Sequence, residues 1–187
     1  MDASSIIRAL TSAVSDSEIQ AVEAPDFPTL VVAGERLLDV ARLLRDHPLL
    51  QFDVLVEVTA VDRWPAEPRY EVVYHMVSTS APARLRVKVR VGGDDPRVTS
   101  VHTVWASADW LEREVWDLFG IVFEQHGDLR RLLMPEDWSG YPLRKDYPVQ
   151  IAMTPKVYEP LQVTEQEFRA RIAADRDARG GSNPTRR

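Results

Sequence analysis

The chain has 187 residues, of which 44% are hydrophobic and 28% charged, enough for one domain with a core of its own. A formal charge of −6 and a pI near 5.3 argue against a protein whose main work is to coat nucleic acid or bare anionic membrane. The absence of cysteine removes disulfides, zinc–thiolate sites and iron–sulfur clusters held by the chain's own sulfurs, so any redox chemistry must sit on another chain.

In chain order, Ser4 or Ser5 can cap a first helix whose apolar residues Ile6, Ile7, Leu10 and Val14 recur at helical spacing. No apolar run reaches the roughly 18 to 20 residues of a spanning helix, and the acidic N-terminus lacks the features of a secretion signal. The expectation is a soluble cytoplasmic chain. After "EAPDFP", "TLVVA" reads as a strand and "ERLLDVARLLRDH" as a helix with the stripe Leu37, Leu38, Ala41 and Leu44, ended by Pro48. From 50 to 58 the period is two, which places Leu50, Phe52, Val54, Val56 and Val58 on one strand face.

"YEVVYHMVST" and "ARLRVKVRV" read as two further strands joined by a turn at Ala81 and Pro82. The second alternates most cleanly, with Leu85, Val87, Val89 and Val91 inward and Arg84, Arg86, Lys88 and Arg90 outward. A single basic row with no interleaved aromatics is read as the solvated side of a sheet, not as a nucleic-acid face. A helical region then runs through "SVHTVWASADWLEREVWDLFG", with Asp109 as N-cap, Glu112 completing a capping box, the stripe Leu111, Val115 and Leu118, and Gly120 at C′. The implied class is α+β: a small, mostly antiparallel four-stranded sheet with helices on one face, in the order α-β-α-β-β-β-α. Residues 1–122 form this domain, 123–160 an irregular partner-binding arm, and 161–187 a short charged helix, capped by Thr164 with Glu167, and a frayed tail.

Two constellations could carry chemistry. On "LEREVWDLFG", Glu112, Arg113, Glu114 and Asp117 crowd ionisable groups beside Trp116 and Phe119, which the apolar stripe leaves over for a second contact. As an enzyme, Glu112 or Glu114 would serve as base and His126 as acid, but no nucleophile elbow, phosphate loop or metal-binding helix accompanies them. His47, His75, His102 and His126 show no short spacing, so no metal site is expected. As an interface, an Arg–carboxylate network with aromatics is the composition of a buried contact.

The second is "HGDLRRLLMPEDWSGYPLRKDYPV", from His126 to Val149. Its prolines and glycines deny it regular structure, so its backbone groups need other partners. Its Arg130, Arg131, Arg144 and Lys145 balance Asp128, Glu136, Asp137 and Asp146, while Trp138, Tyr141, Pro142, Leu143 and Tyr147 supply anchors. Such an arm either straps a partner or folds back on its own domain.

Taken together, "ERE" at 112–114, Asp117, "LFGI", His126, "LRR" and "PEDWSGYPLRKDYP" resemble the 30-kDa subunit family of respiratory complex I, the proton-pumping NADH:quinone oxidoreductase, whose bacterial members are called the C subunit. The resemblance covers roughly residues 107–148 with specificity and implies a non-catalytic, cofactor-free subunit of the peripheral arm. It implies partners in the 49-kDa subunit and the small iron–sulfur subunit, which form the quinone site. FMN, iron–sulfur clusters and quinone would lie on partner subunits. Membrane association would come through the complex only, on the cytoplasmic side of the bacterial cell membrane. The interface would use residues 112–114, Trp116, Asp117, Phe119, Gly120, His126, Arg130, Arg131, Trp138 and 141–147. Related subunits in membrane-bound hydrogenases and F420H2 dehydrogenases keep an alternative open.

Overall fold

The computed structural model describes residues 19–148 and 164–180, together with Ile6 and Leu10, which are helical and buried. The first expected helix otherwise lies outside the described residues, as does the segment 149–163. Residues Met1–Pro148 form one compact unit and Val149–Arg187 a second.

The first unit contains strands β1 (Ile19–Val22) and β2 (Thr29–Val32), a 3-10 turn (Gly34–Arg36) leading into helix α1 (Leu37–Asp46), then β3 (Val54–Asp62), β4 (Tyr70–Ser78), β5 (Ala83–Val91), β6 (Arg97–Thr99), helix α2 (Ala108–Phe119) and β7 (Val122–Glu124). The main sheet has five strands in the order β1-β2-β5-β4-β3, and only the β2–β5 pair is parallel. β6 and β7 pair in parallel as a separate two-stranded sheet. The buried apolar residues of both helices join one cluster with Leu30, Val32, Val72, Tyr74, Leu85, Val87 and Val89 of the sheet. The α+β class and the mostly antiparallel sheet therefore hold, with five strands instead of four.

The differences from the sequence reading have local causes. β1 buries only Ile19, so it carries no alternation, and its pairing with β2 makes it a strand. β6 and β7 have three residues each, too few for a period, and the region read as helical from Ser100 is loop and turn up to Ser107, with the helix itself starting at Ala108. β3 begins at Val54, not Leu50, and a bulge between Leu55 and Glu57 shifts its phase. Leu55, Val58 and Ala60 point inward, while Val54 and Val56 are exposed. Leu50 and Phe52 are still buried, but in the turn after α1.

The loop from Val101 to Ser107 is tied to the start of β3. Trp105 Nε1 donates to the Phe52 carbonyl at 3.0 Å and Ser107 Oγ to the Leu55 carbonyl at 3.0 Å. From α1, the Arg45 guanidinium reaches the Val104 carbonyl at 2.6 Å. These three bonds set where α2 starts. Ser107, not Asp109, stands before it, and that serine's hydroxyl serves β3 instead of the helix end. In the second unit, helix α3 (Glu165–Gly180) opens with the expected capping box: Glu167 N donates to Thr164 Oγ1 and Thr164 N to Glu167 Oε2, at 3.3 and 2.9 Å.

The hydroxyl of Tyr74, in the middle of β4, is buried with no hydrogen-bond partner among the described residues. A phenylalanine there fills the same volume without desolvating a hydroxyl. Tyr74→Phe should leave the urea unfolding midpoint of the full chain unchanged or raise it, and a fall in the midpoint would show that the hydroxyl is satisfied in solution.

Candidate functional site

The acidic and basic residues of α2 that the sequence singles out are mostly buried. Glu112 and Asp117 are fully enclosed, and Arg113 and Phe119 are nearly so. Val115 faces the sheet core as expected, whereas Leu111, Trp116 and Leu118 pack against that core from its margin. The helix is covered on a second side by the arm, which explains how charged residues come to lie inside.

Asp117 is the centre of that second side. Its Oδ2 accepts the backbone N–H groups of Leu132, Leu133 and Met134 at 3.0, 2.7 and 2.8 Å, and its Oδ1 accepts Arg131 Nη1 at 2.7 Å. Burial alone would raise the pKa of this carboxyl, but the N–H of Met134, the Arg131 guanidinium and the N–H groups of Leu133 and Leu132 together hold it below the usual range. Arg131 then turns its Nη2 to the Trp138 carbonyl at 2.9 Å, closing the loop 131–138 on itself. Arg113 donates to the carbonyls of Arg130 and Arg131, both at 3.2 Å, and its guanidinium lies 5.0 Å from the centre of the Trp110 ring.

A second set of contacts closes the C-terminal end of α2. A helix leaves its last carbonyls without intrahelical donors. Here the arm supplies them. Leu143 N donates to the Leu118 carbonyl at 3.1 Å, and Arg144 reaches the carbonyls of Phe119 and Gly120 at 2.5 and 3.3 Å. Gly120 adopts φ 72°, and a Cβ there would overlap the Tyr141 ring and the Arg144 guanidinium. The Arg144 guanidinium also meets the rings of Tyr141 and Tyr70, 4.5 and 5.5 Å from their centres.

The third anchor comes from a loop that the sequence did not mark. Asp62 at the end of β3 is buried and takes a bidentate pair from Arg69, at 3.0 and 2.7 Å, along with the N–H groups of Trp64 and Lys145. The Arg69 hydrogen bonds hold the Asp62 carboxyl far below the usual range. Arg69 also pairs with Asp146 at 2.7 Å. Residues 62 and 69 frame "RWPAEP", and nothing local tells that their charges serve a segment more than 75 positions away.

Glu112 is separate from this frame. It takes no part in a capping box: Oε1 accepts Val101 N at 2.8 Å, and Oε2 accepts the Ser100 hydroxyl. Ser100 Oγ lies 2.8 Å from His102 Nδ1, so with Glu112 ionised the serine's single proton is used and His102 must donate. Burial pushes the Glu112 carboxyl up to about 7 despite its two hydrogen bonds. His126 has both ring nitrogens engaged within the fold. Its Nε2 faces the Asp109 carbonyl at 3.0 Å, and its Nδ1 accepts Asp128 N at 3.1 Å, with its side chain buried beside His102.

Of the remaining predicted residues, Glu114 is half-buried, Arg130 pairs with Asp128, and Trp138 and Tyr147 stack with ring centres 6.5 Å apart. Pro142 is half-buried and Leu143 exposed. Through Pro148 the arm thus folds back on its own domain. Among the described residues no group of three or more His, Asp or Glu side chains is placed to hold a metal ion.

Two outcomes follow. Asp117→Asn should lose about 2–4 kcal/mol, since an amide cannot present acceptors to both Arg131 and three N–H groups. It should also open the chain to trypsin after Arg130 and Arg131, whereas unaltered resistance would mean the arm is held elsewhere. For Glu112, the folded carboxyl keeps its proton to about pH 7 and the unfolded one only to about 4.5. Its stabilisation is therefore complete below about pH 4.5 and is lost as pH rises through 7. Stability should fall by about 1–3 kcal/mol between roughly pH 5 and 8, and Glu112→Gln should flatten that slope in urea titrations.

Known proteins share this chain's pattern. Residues 30–152 match the family model described as the 30 Kd subunit of respiratory-chain NADH dehydrogenase. A Roseiflexus protein, named as the C subunit of NADH-quinone oxidoreductase, is 42% identical over 149 residues, covering 80% of this chain and 86% of the relative. The protein of the same name from Geobacter sulfurreducens is 49% identical over 123 residues, 65% of this chain and 75% of its own. Among solved structures, the trypsin-resistant fragment of Nqo5 aligns with TM-score 0.56 at 30% identity, over 66% of this chain and 99% of the fragment. A chain of an archaeal membrane-bound sulfane sulfur reductase complex aligns with TM-score 0.66 at 25% identity, over 78% and 85%. The three anchors of the arm, all between Asp62 and Asp146, fall within the matched span, and the chain belongs to the 30-kDa subunit family of the respiratory-chain NADH dehydrogenase.

Proposed function

We propose that this chain is the non-catalytic 30-kDa subunit of an NADH:quinone oxidoreductase of the complex I type, and that its work is to hold the quinone-reducing subunits in register. One observation carries this reading. Arg113 and Asp117 of α2 and Arg131 and Arg144 of the arm are consumed in fastening the arm to the domain, while apolar side chains beside them are left outside. Trp110, Leu133 and Leu143 are 57%, 59% and 51% exposed on and around that frame. A rigid segment with outward apolar anchors suits a protein partner better than a substrate.

In this reading the partners are the 49-kDa subunit and the small iron–sulfur subunit. FMN, the iron–sulfur clusters and quinone belong to other subunits, in keeping with the absence of cysteine here. Among the described residues no helix is long and apolar enough to cross a membrane, which agrees with attachment through the complex, on the cytoplasmic side of a bacterial cell membrane. Arg113, Asp117, Gly120, Arg131 and Arg144 then act on the interface indirectly, by holding the surface that touches it. The likeness to a chain of an archaeal sulfane sulfur reductase, a respiratory membrane complex, accords with one second reading, the equivalent subunit of a related complex such as a membrane-bound hydrogenase or F420H2 dehydrogenase.

The test is affinity purification of the tagged chain from its own solubilised membranes, with an NADH:quinone assay on the eluate. Recovery of both partner subunits with NADH-dependent quinone reduction is expected. A Leu133→Asp, Leu143→Asp double variant should lose those subunits while keeping its own unfolding midpoint, because both side chains are exposed. Recovery of a nickel hydrogenase or an F420-oxidising subunit would move the chain to the second reading, and full recovery by the double variant would remove the arm from the interface.

A further inference from the structure

The outer face of the main sheet, opposite the helices, carries a second candidate site. At one end of it a row of side chains runs across four neighbouring segments: Phe27 before β2, Arg84 and Arg86 on β5, His75 and Val77 on β4, and Val56 on β3. Val56 is the extra residue of the β3 bulge, and the bulge turns it outward beside Glu57. Phe27, Val56, His75, Val77 and Arg84 line a hollow of about 320 Å³, within the size range of specific binding pockets.

Most charges around this hollow are already matched. Arg86 pairs with Asp26 and donates through Nε to His75 Nε2 at 2.9 Å. Arginine has no acceptor, so His75 Nε2 must accept; the ring then carries its proton on Nδ1 and donates it to Glu57 Oε2 at 3.1 Å. The chain Asp26, Arg86, His75, Glu57 is thereby closed. Arg84 is the exception. It is exposed, and among the described residues its guanidinium meets only the Phe27 ring, 5.7 Å from the centroid, while Arg86 covers the same ring at 5.3 Å. The site thus combines apolar walls with one cation whose donors are unused. β3, the strand on its outer side, pairs only with β4 among the described residues; its Leu55 carbonyl accepts Ser107 Oγ, and the rest of that edge has no strand partner for an incoming extended segment to displace.

We infer that this hollow is a docking site for an acidic, apolar peptide segment of a partner protein, in which an aromatic or branched side chain enters between Phe27 and Val56 and a neighbouring carboxylate pairs with Arg84. A planar guanidinium with free donors is the matching half of a carboxylate. The adjoining edge strand favours a peptide over a free small acid, since it gives a backbone something to pair with. The site is made by residues other than those of the arm, and it stands whether or not the arm contacts the quinone-reducing subunits.

The experiment is amide-resolved NMR on the full chain, titrated with acetyl-Leu-Phe-Glu-Asp-amide. Acetyl-Leu-Phe-Lys-Lys-amide, acetyl-Gly-Gly-Glu-Asp-amide and phenylacetate serve as comparison probes. Shifts at Val56, His75, Val77 and Arg84 with the first probe alone are expected. Arg84→Gln should weaken that binding roughly tenfold, as for loss of one charge-assisted contact, with an unchanged unfolding midpoint. Arg84→Glu should abolish it. Equal binding of the lysine peptide would overturn the charge assignment, and equal binding of the glycine peptide the apolar one. Phenylacetate binding as well as the peptide would overturn the peptide assignment and make the site one for small acids. Shifts at these positions that grow with protein concentration alone would overturn it in favour of a contact between two copies.

Discussion

The buried carboxylate of Asp117 is the constraint on which the rest of the arm depends. A charge inside a protein is tolerated only when donors replace its water, and here three successive backbone N–H groups and one guanidinium do so. The arrangement works in both directions. The carboxylate needs the loop, and the loop, which has no regular structure to satisfy its N–H groups, needs the carboxylate. Arg131 and Arg144 extend the same logic to carbonyls, the first within the arm and the second at the open end of α2. The Asp62–Arg69 pair repeats it at the far end of the arm.

This arrangement separates two roles that composition alone merges. Charged residues grouped on a helix beside aromatics look alike whether they meet a partner or a neighbouring stretch of the same chain. In this frame Arg113 and Asp117 are turned inward while Trp110, Leu133 and Leu143 face outward, the reverse of an ordinary surface. A surface held this firmly loses little conformational entropy on association, which is how an irregular segment can contribute to a stable interface. Asp117, Gly120, Arg131 and Arg144, which lie in the motifs quoted for the family resemblance, are among the residues that build the frame.

Glu112 and His126 show how titratable groups grouped in the sequence are engaged within the fold. Both belong to the acid–base reading of the sequence, and both are occupied: the carboxylate by Ser100 and Val101, the two imidazole nitrogens by Asp109 and Asp128. Glu112 joins α2 to the loop after β6, a connection between residues 12 positions or fewer apart that the strand–loop–helix path brings together. Its raised pKa follows from enclosure.

The amino-acid sequence by itself determined the α+β class, the strands β4 and β5, the helix ending at Gly120 and the family likeness, because alternation, capping chemistry and motif spacing are properties of neighbouring residues. Its reading of β3 slipped by one bulge, and β1, β6 and β7 escaped it, because a short strand that buries a single residue is defined by its partner and not by its own pattern. Only the tertiary structure decided that the arm lies on its own domain through Pro148, that Glu112 and Asp117 are enclosed, and that Asp62 and Arg69 hold Lys145 and Asp146. A hydrogen bond between residues some 80 positions apart leaves no mark at either end, since each donor and acceptor would suit many others, and the folded path alone selects which ones meet.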